Sequence, residues 1–302
     1  MRIIKTKKIW FNGKFINWND AKIHVLTHTL HYGGGIFEGI RAYQTQKGTA
    51  VFRLKEHIDR LFYSAKILEM KIPFSSKEIQ KAILELIKIN KIEECYIRPI
   101  AFFGYGIMGL SPKDAPINLA IALWPWQNYL GDKPIKVGIS KYIRIHPKST
   151  MVEAKICGHY VNSILAGLEA KKQNVQEVLL FDYQGNVAEA SGANIFIVKN
   201  KKLFTPSVGS IFPGITRDSI LQIANNLGIE TKEKNFSLKD VKLADEAFFV
   251  GTATEVCPIG EIDGVMINNR KIGEITQKLK TSYQNIIHGK EKKYFKWLTL
   301  VK

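Results

Sequence analysis

Apolar positions along this chain fall into two kinds of spacing, and the order in which the two kinds follow one another predicts the elements. Leu54, Ile58, Leu61, Ala65 and Leu68 recur at three- and four-residue intervals, as do Ile79, Ile83, Leu86 and Ile87, which predicts two successive amphipathic helices. Shorter runs rich in β-branched and aromatic residues predict strands over 95–103, 117–124, 135–140, 176–181, 194–198 and 246–250. Further helices fit 160–172, 216–227 (stopped by Gly228) and 273–288. Residues 8–18 read as a hairpin around Asn12-Gly13, a dipeptide suited to a type I′ turn because both central residues need positive φ. Helices and strands mix without strict β-α alternation, which favours an α+β class over a doubly wound sheet. The polar stretch 125–134, with its prolines and glycine, interrupts the pattern. It is expected to connect a smaller N-terminal domain, residues 1–124, to a larger C-terminal one, residues 135–302.

Composition adds bounds rather than a function. A chain of 302 residues, 45% hydrophobic and 24% charged, can build two domains with a sizeable core. The lysine-bearing first fifteen residues have no apolar stretch fit for a signal peptide, and no apolar run is long enough to span a bilayer, so a cytoplasmic location is expected. Three cysteines without a C-x-x-C spacing indicate neither a disulfide framework nor a zinc site. The formal charge of +17 raises the question of nucleic acid. Its lysine clusters, at Lys5, Lys7 and Lys8, at Lys199, Lys201 and Lys202, and at Lys290, Lys292 and Lys293, are separated and not interleaved with stacking aromatics. Solvated surface is the better reading, and a positive field suits small anionic ligands.

Four separated stretches carry candidate chemistry: Glu153-Ala154-Lys155 running into Gly158-His159-Tyr160, Glu189-Ala190-Ser191-Gly192, Pro213-Gly214-Ile215-Thr216-Arg217-Asp218, and Gly251-Thr252-Ala253. They offer an amine, a carboxylate, a phosphate cradle and a second anion-binding turn. Lys155 lies in a segment poor in other charges, where partial burial would help an amine lose its proton and become a nucleophile. Residues 207–214 form a Gly/Pro/Ser loop that opens a helix at Ile215-Thr216, so free N–H groups and the positive end of the dipole meet whatever sits there. Tyr96 and Arg98 share one face of a strand, opposite Ile97, and suit a carboxylate-binding wall. Each feature taken singly has a plainer reading: a surface lysine, an exposed glutamate, an ordinary helix start, a core tyrosine.

In this order, and with Trp10-Phe11-Asn12-Gly13, residues 32–41, Tyr96-Ile97-Arg98-Pro99 and residues 123–131, these stretches resemble the fold-type IV enzymes that use pyridoxal 5'-phosphate, most closely the branched-chain amino acid aminotransferases. The resemblance implies a two-domain, D-amino acid aminotransferase-like architecture and a homodimer, or an assembly of dimers. It implies transamination of L-leucine, L-isoleucine and L-valine with 2-oxoglutarate. Lys155 would carry the cofactor and move a proton between the substrate Cα and the cofactor C4′. Glu189 would face the pyridine nitrogen and Tyr160 the phenolic oxygen, while Arg60, Ile215, Thr216 and Thr252 would bind the phosphate. Tyr96, Arg98 and the backbone of the turn through Thr252 and Ala253 would hold substrate carboxylates. Tyr32, Phe37, Trp126 and Tyr129 match aromatic pocket walls, Gly39 a small residue that leaves the pocket room, and Met108-Gly109-Leu110 a loop entering from a neighbouring subunit. Cys157, His159 and Ala193 depart from common family residues. D-amino acid and (R)-amine aminotransferases and aminodeoxychorismate lyases share the fold; Tyr96-Ile97-Arg98 with Phe37, Gly39 and Trp126 argues for the L-branched-chain branch.

Overall fold

Asn12 and Gly13 both take positive φ, 45° and 89°, and the strands on either side, β1 (Lys8–Phe11) and β2 (Lys14–Asn17), pair antiparallel as the dipeptide predicts. They belong to a computed structural model that describes residues 3–126 and 133–302. The chain divides into two units: Met1–Gln127 with Ala154–His159 and Ile286–Lys302, and Asn128–Glu153 with Tyr160–Asn285.

The first unit continues with α1 (His28–Tyr32), β3 (Gly35–Phe37), β4 (Ile40–Thr45), β5 (Gly48–Phe52), α2 (Leu54–Ile67), α3 (Ser76–Asn90), β6 (Cys95–Phe103) and β7 (Ile117–Pro125). Among the described residues its sheet runs from the C-terminal strand Leu298–Leu300 through β5, β4, β6, β7 and β1 to β2, with β3 also on β6. The helical spacing finds its purpose here, since Ile58, Leu61, Ile79, Ile83 and Leu86 pack with Ile97, Leu119, Ile121 and Leu123 in one core. Each such side chain contributes ~1.5–3 kcal/mol on burial. A capping box between Ser75 and Glu78 fixes where α3 begins. Two distant pieces join this unit through backbone pairing that no local pattern announces. Ile156 bridges Ile36, the Phe37 N–H donates to the Lys155 carbonyl at 3.1 Å, and Leu298–Leu300 pairs antiparallel with β5.

The second unit holds β8 (Ile135–Ile139), α4 (Tyr160–Lys172), β9 (Glu177–Phe181), β10 (Val187–Ala190), β11 (Asn194–Lys199), β12 (Lys202–Thr205), α5 (Ile215–Asn226), β13 (Thr231–Glu233), α6 (Leu238–Lys242), β14 (Glu246–Gly251), β15 (Glu255–Ile262) and β16 (Val265–Met266); α7 (Glu274–Ile287) follows. Its strand order among the described residues is β10-β9-β8-β15-β14-β11-β12-β13, and an extra β10–β11 pairing closes the run from β10 to β11 into a ring. Pairings β8–β9, β8–β15 and β12–β13 are parallel and the rest antiparallel, the mixed arrangement of an α+β fold. Helix α4 docks through small residues. It buries only Ala166 and Ala170, beside Val178 and Leu180, while Val161, Ile164 and Leu168 are exposed. Small residues are what let a helix approach the strand beneath it closely. No helix of the described residues is long and apolar enough to cross a membrane.

Candidate active site

Lys155 is half-buried and fixed by its backbone: its carbonyl accepts from Phe37, and its N–H donates to Ser64 Oγ at 2.9 Å. Its Nζ lies 5.3 Å from the centre of the Phe37 ring. Helix α2 supplies Ser64 from the same face as His57 and Arg60, positions spaced three and four apart. Those two meet Glu38, which has no exposure at all. Arg60 Nε and Nη2 donate to Glu38 Oε1 and Oε2 at 2.6 and 2.9 Å, His57 Nδ1 lies 2.8 Å from Oε2, and the Gly39 N–H donates to Oε2 at 3.2 Å. Burial alone would raise the Glu38 carboxyl. The Arg60 guanidinium and the His57 hydrogen bond outweigh it and hold that carboxyl well below the usual carboxylate range. Burial in turn pushes His57 down, so the neutral ring donates to Glu38. Arg60 thus points inward, bound edge-on to a carboxylate.

Phe37, Tyr96 and Arg98 form a second group in the same unit. The Arg98 guanidinium stands over Phe37 at 4.5 Å and near Tyr96 at 5.2 Å and Trp124 at 6.0 Å, and its Nη2 donates to Tyr96 Oη at 3.1 Å. Its Nε is buried with no hydrogen-bond partner among the described residues. A cation walled by aromatic faces and short of acceptors is ready to take a carboxylate. Trp126 leans on Tyr96 with ring centres 4.8 Å apart. Tyr129 lies outside the described residues.

In the second unit the centre is Glu189, 4% exposed on β10. It is ion-paired to Arg144 Nε, accepts from Asn194 Nδ2 at 2.9 Å and from the Phe212 N–H at 3.2 Å. Asn194 faces Glu189 directly across β10–β11 and ties the same loop by donating to the Phe212 carbonyl at 2.8 Å. A Cβ on Gly214 would lie 2.1 Å from Asn194 Oδ1, so a side chain there would displace the amide that ties Glu189 to this loop. Gly214 provides no side-chain cap to α5, and the N–H groups of its first turn have no acceptor within the helix. Thr216 is buried there. Arg217 turns away to Thr205, the Pro206 carbonyl and Glu233. Thr252 and Ala253 form the turn between β14 and β15, and Tyr160 opens α4, half-buried.

The first unit carries an amine at Lys155, and the second carries a buried carboxylate with its own countercharge and an uncapped helix start beside a glycine; these are the kinds of group that a phosphorylated pyridine aldehyde requires. Residues 35–262 match the family described as amino-transferase class IV. The Pseudomonas aeruginosa branched-chain-amino-acid aminotransferase is 45% identical over 298 residues, 97% of each chain. The chain belongs to the class IV aminotransferases, in their branched-chain-amino-acid branch. The solved Escherichia coli enzyme of that name matches with a TM-score of 0.97 at 38% identity, over 99% of this chain and 100% of that one. The branched-chain amino acid aminotransferase of Thermobaculum terrenum, solved in its PLP-form, matches with a TM-score of 0.93 at 31% identity, over 98% of this chain and 99% of that one.

Within this aminotransferase three of the expected pocket residues lie on the surface of their own chain. Tyr32, Met108 and Leu110 are exposed, Leu110 at 90%. Tyr32 and Leu110 line a separate cavity of about 850 Å³ with His28, Phe103 and Pro112, and His28 Nε2 donates to the Gly109 carbonyl at 2.7 Å. At Gly39 the place that a Cβ would take lies 2.0 Å from the Tyr96 hydroxyl. Burial pushes the Cys157 thiol up to about 11, so this departure from the family adds no nucleophile near Lys155. Sequence reasoning missed Glu38, His57, Arg144 and Asn194. The spacing of His57, Arg60 and Ser64 could have marked one helical face, and Glu38 lies between two residues already singled out. Arg144 leaves no local signal.

Proposed function

We propose that this aminotransferase uses pyridoxal 5'-phosphate to move the amino group of L-leucine, L-isoleucine or L-valine to 2-oxoglutarate, giving the branched 2-oxo acids and L-glutamate. The cofactor, when bound, supplies an electrophilic carbonyl and an electron-withdrawing ring. Lys155 Nζ takes the proton from the substrate Cα and returns it at C4′, held in place by Ser64 and Phe37. Glu189 keeps a proton on the ring nitrogen, and Arg144 balances its charge. Arg60, Ile215, Thr216 and Thr252 bind the phosphate, and Tyr160 the phenolic oxygen. The turn at Thr252 and Ala253 takes the α-carboxylate, and Tyr96 with Arg98 the second carboxylate of glutamate. Phe37, Trp126 and Tyr129 wall the side-chain pocket.

The substrate assignment is carried by Arg98, a guanidinium whose buried Nε has no partner among the described residues and which is set among the faces of Phe37, Tyr96 and Trp124. Such a wall accepts either an apolar side chain or a carboxylate. The exposure of Tyr32, Met108 and Leu110 supports a homodimer, or an assembly of dimers, in which they serve a neighbour's pocket. The enzyme works on small-molecule amino and 2-oxo acids in the cytoplasm. A donor panel with 2-oxoglutarate tests this. Leucine, isoleucine and valine should lead; turnover of D-alanine or an (R)-amine ahead of them would refute the assignment.

A further inference from the structure

Gly39 does not sit at positive φ, so its φ does not call for glycine. What forbids a side chain is space. A Cβ built there would lie 2.0 Å from Tyr96 Oη and 2.9 Å from Cζ, closer than real Cβ contacts come. We propose that Gly39 is a specificity-setting residue: lacking a side chain, it seats the Tyr96 hydroxyl, which holds Arg98 in the orientation that receives a second carboxylate. The proposal rests on the dual-substrate reading above and deepens it.

Of the two partners, the Gly39 backbone is the harder to move, and the Tyr96 ring can give only at its hydroxyl end. The Gly39 N–H is tied to Glu38, whose own N–H donates to the Pro99 carbonyl at 2.9 Å and whose carboxylate is clamped by Arg60 and His57. Ile40, the next residue, is already in register with Ile97. The Tyr96 ring is 6% exposed and packed against Trp124 and Trp126 at 5.1 and 4.8 Å. The conflict is therefore relieved by moving the hydroxyl off its seat, which breaks the 3.1 Å hydrogen bond from Arg98 Nη2. Arg98 is otherwise held by ring faces, which restrain its plane weakly. Without the hydroxyl the guanidinium loses its register toward a ligand. An apolar side chain, which needs only the aromatic walls, is less affected.

The test is a double-mutant cycle on the holoenzyme, with Gly39→Ala, Tyr96→Phe and both together. Tryptophan fluorescence reads the binding of two non-reacting probes, glutarate with two carboxylates and 4-methylvalerate with one. Gly39→Ala should weaken glutarate about 10- to 100-fold, the range for a lost hydrogen bond to a charged group. Binding of 4-methylvalerate should change by less than about 3-fold. The same split should reach catalysis as a KM that rises more for glutamate than for leucine. Tyr96→Phe should reproduce the glutarate loss, and adding Gly39→Ala to it should cost less than about 3-fold more, because the displaced oxygen is already gone. Equal weakening of both probes by Gly39→Ala, or an undiminished effect in the Phe background, would overturn the proposal. If wild type fails to transaminate these substrates, the functional reading falls, while the binding cycle still decides whether Gly39 and Tyr96 are coupled.

Discussion

Arg60→Met measures what the buried Glu38 carboxylate would cost this fold without its cation. The substitution keeps an apolar stem but leaves Glu38, at 0% exposure, facing only His57 and the Gly39 N–H. The Arg60 side chain is 12% exposed, so the pair is shielded from water and salt rather than screened as a surface pair would be. Removing one member of such a pair costs about 3–5 kcal/mol. Glu38→Gln removes the charge and retains one acceptor, so it should cost less, about 1.5–3 kcal/mol. The double variant removes both charges, and its loss should fall short of the sum of the singles by at least about 1 kcal/mol. Urea unfolding of the cofactor-free protein at pH 7 is the assay, because bound phosphate then adds nothing at Arg60. All five tryptophans, Trp10, Trp18, Trp124, Trp126 and Trp297, lie in the first unit, so their fluorescence follows that unit alone. The pH dependence has a definite sign. A carboxyl depressed in the folded state stabilises above its unfolded pKa of about 4.3 and loses that contribution as pH falls through the folded value. In Arg60→Met burial acts unopposed by the guanidinium, so its deficit against wild type should narrow as pH drops from 7 toward 4. An Arg60→Met apoprotein as stable as wild type at pH 7, or strictly additive penalties, would refute the reasoning.

Lys155→Ala should lower turnover by at least ~10² to 10⁴, and borohydride reduction of wild type with pyridoxal 5'-phosphate should label Lys155 on peptide mapping; a label on another lysine would displace the assignment. Burial raises the Glu177 carboxyl, although Ser191 Oγ and the Val178 N–H donate to it, so folding there opposes ionisation. The penalty is full above the raised pKa and relieved as pH falls below it, so Glu177→Gln should raise Tm at pH 7 and gain less near pH 4; a uniform shift would contradict this. Leu110→Ala should leave stability unchanged, since Leu110 is 90% exposed in its own chain, yet lose about one to two decades of kcat/KM toward leucine, the worth of one buried leucine. Glutamate should suffer less, and an equal loss for both donors would count against entry into a neighbour's pocket.

Local sequence pattern placed many of the regular elements, though not β10, β12, β15 or α6. Strand β6 begins and ends at residues 95 and 103, α4 spans 160–172, and the hairpin turns at Asn12-Gly13, all as local pattern predicts. Apolar spacing and turn chemistry act within a few residues, so no distant information is needed to read them. The order of its short motifs also carried the family. Partnership did not follow from either. Glu38 meets Arg60 across 22 positions and Arg144 meets Glu189 across 45, and strand pairing and helix docking alone decide those encounters. Taken singly, Glu189 reads as an exposed carboxylate; the fold buries it against Arg144, as it sets the 12% exposed Arg60 against the fully buried Glu38. It also sets the Tyr96 hydroxyl against the bare Cα of Gly39, because the pairing of β4 with β6 brings those two residues to one spot. A charge or a glycine carries no mark of what it will face, and only the tertiary contacts supply it.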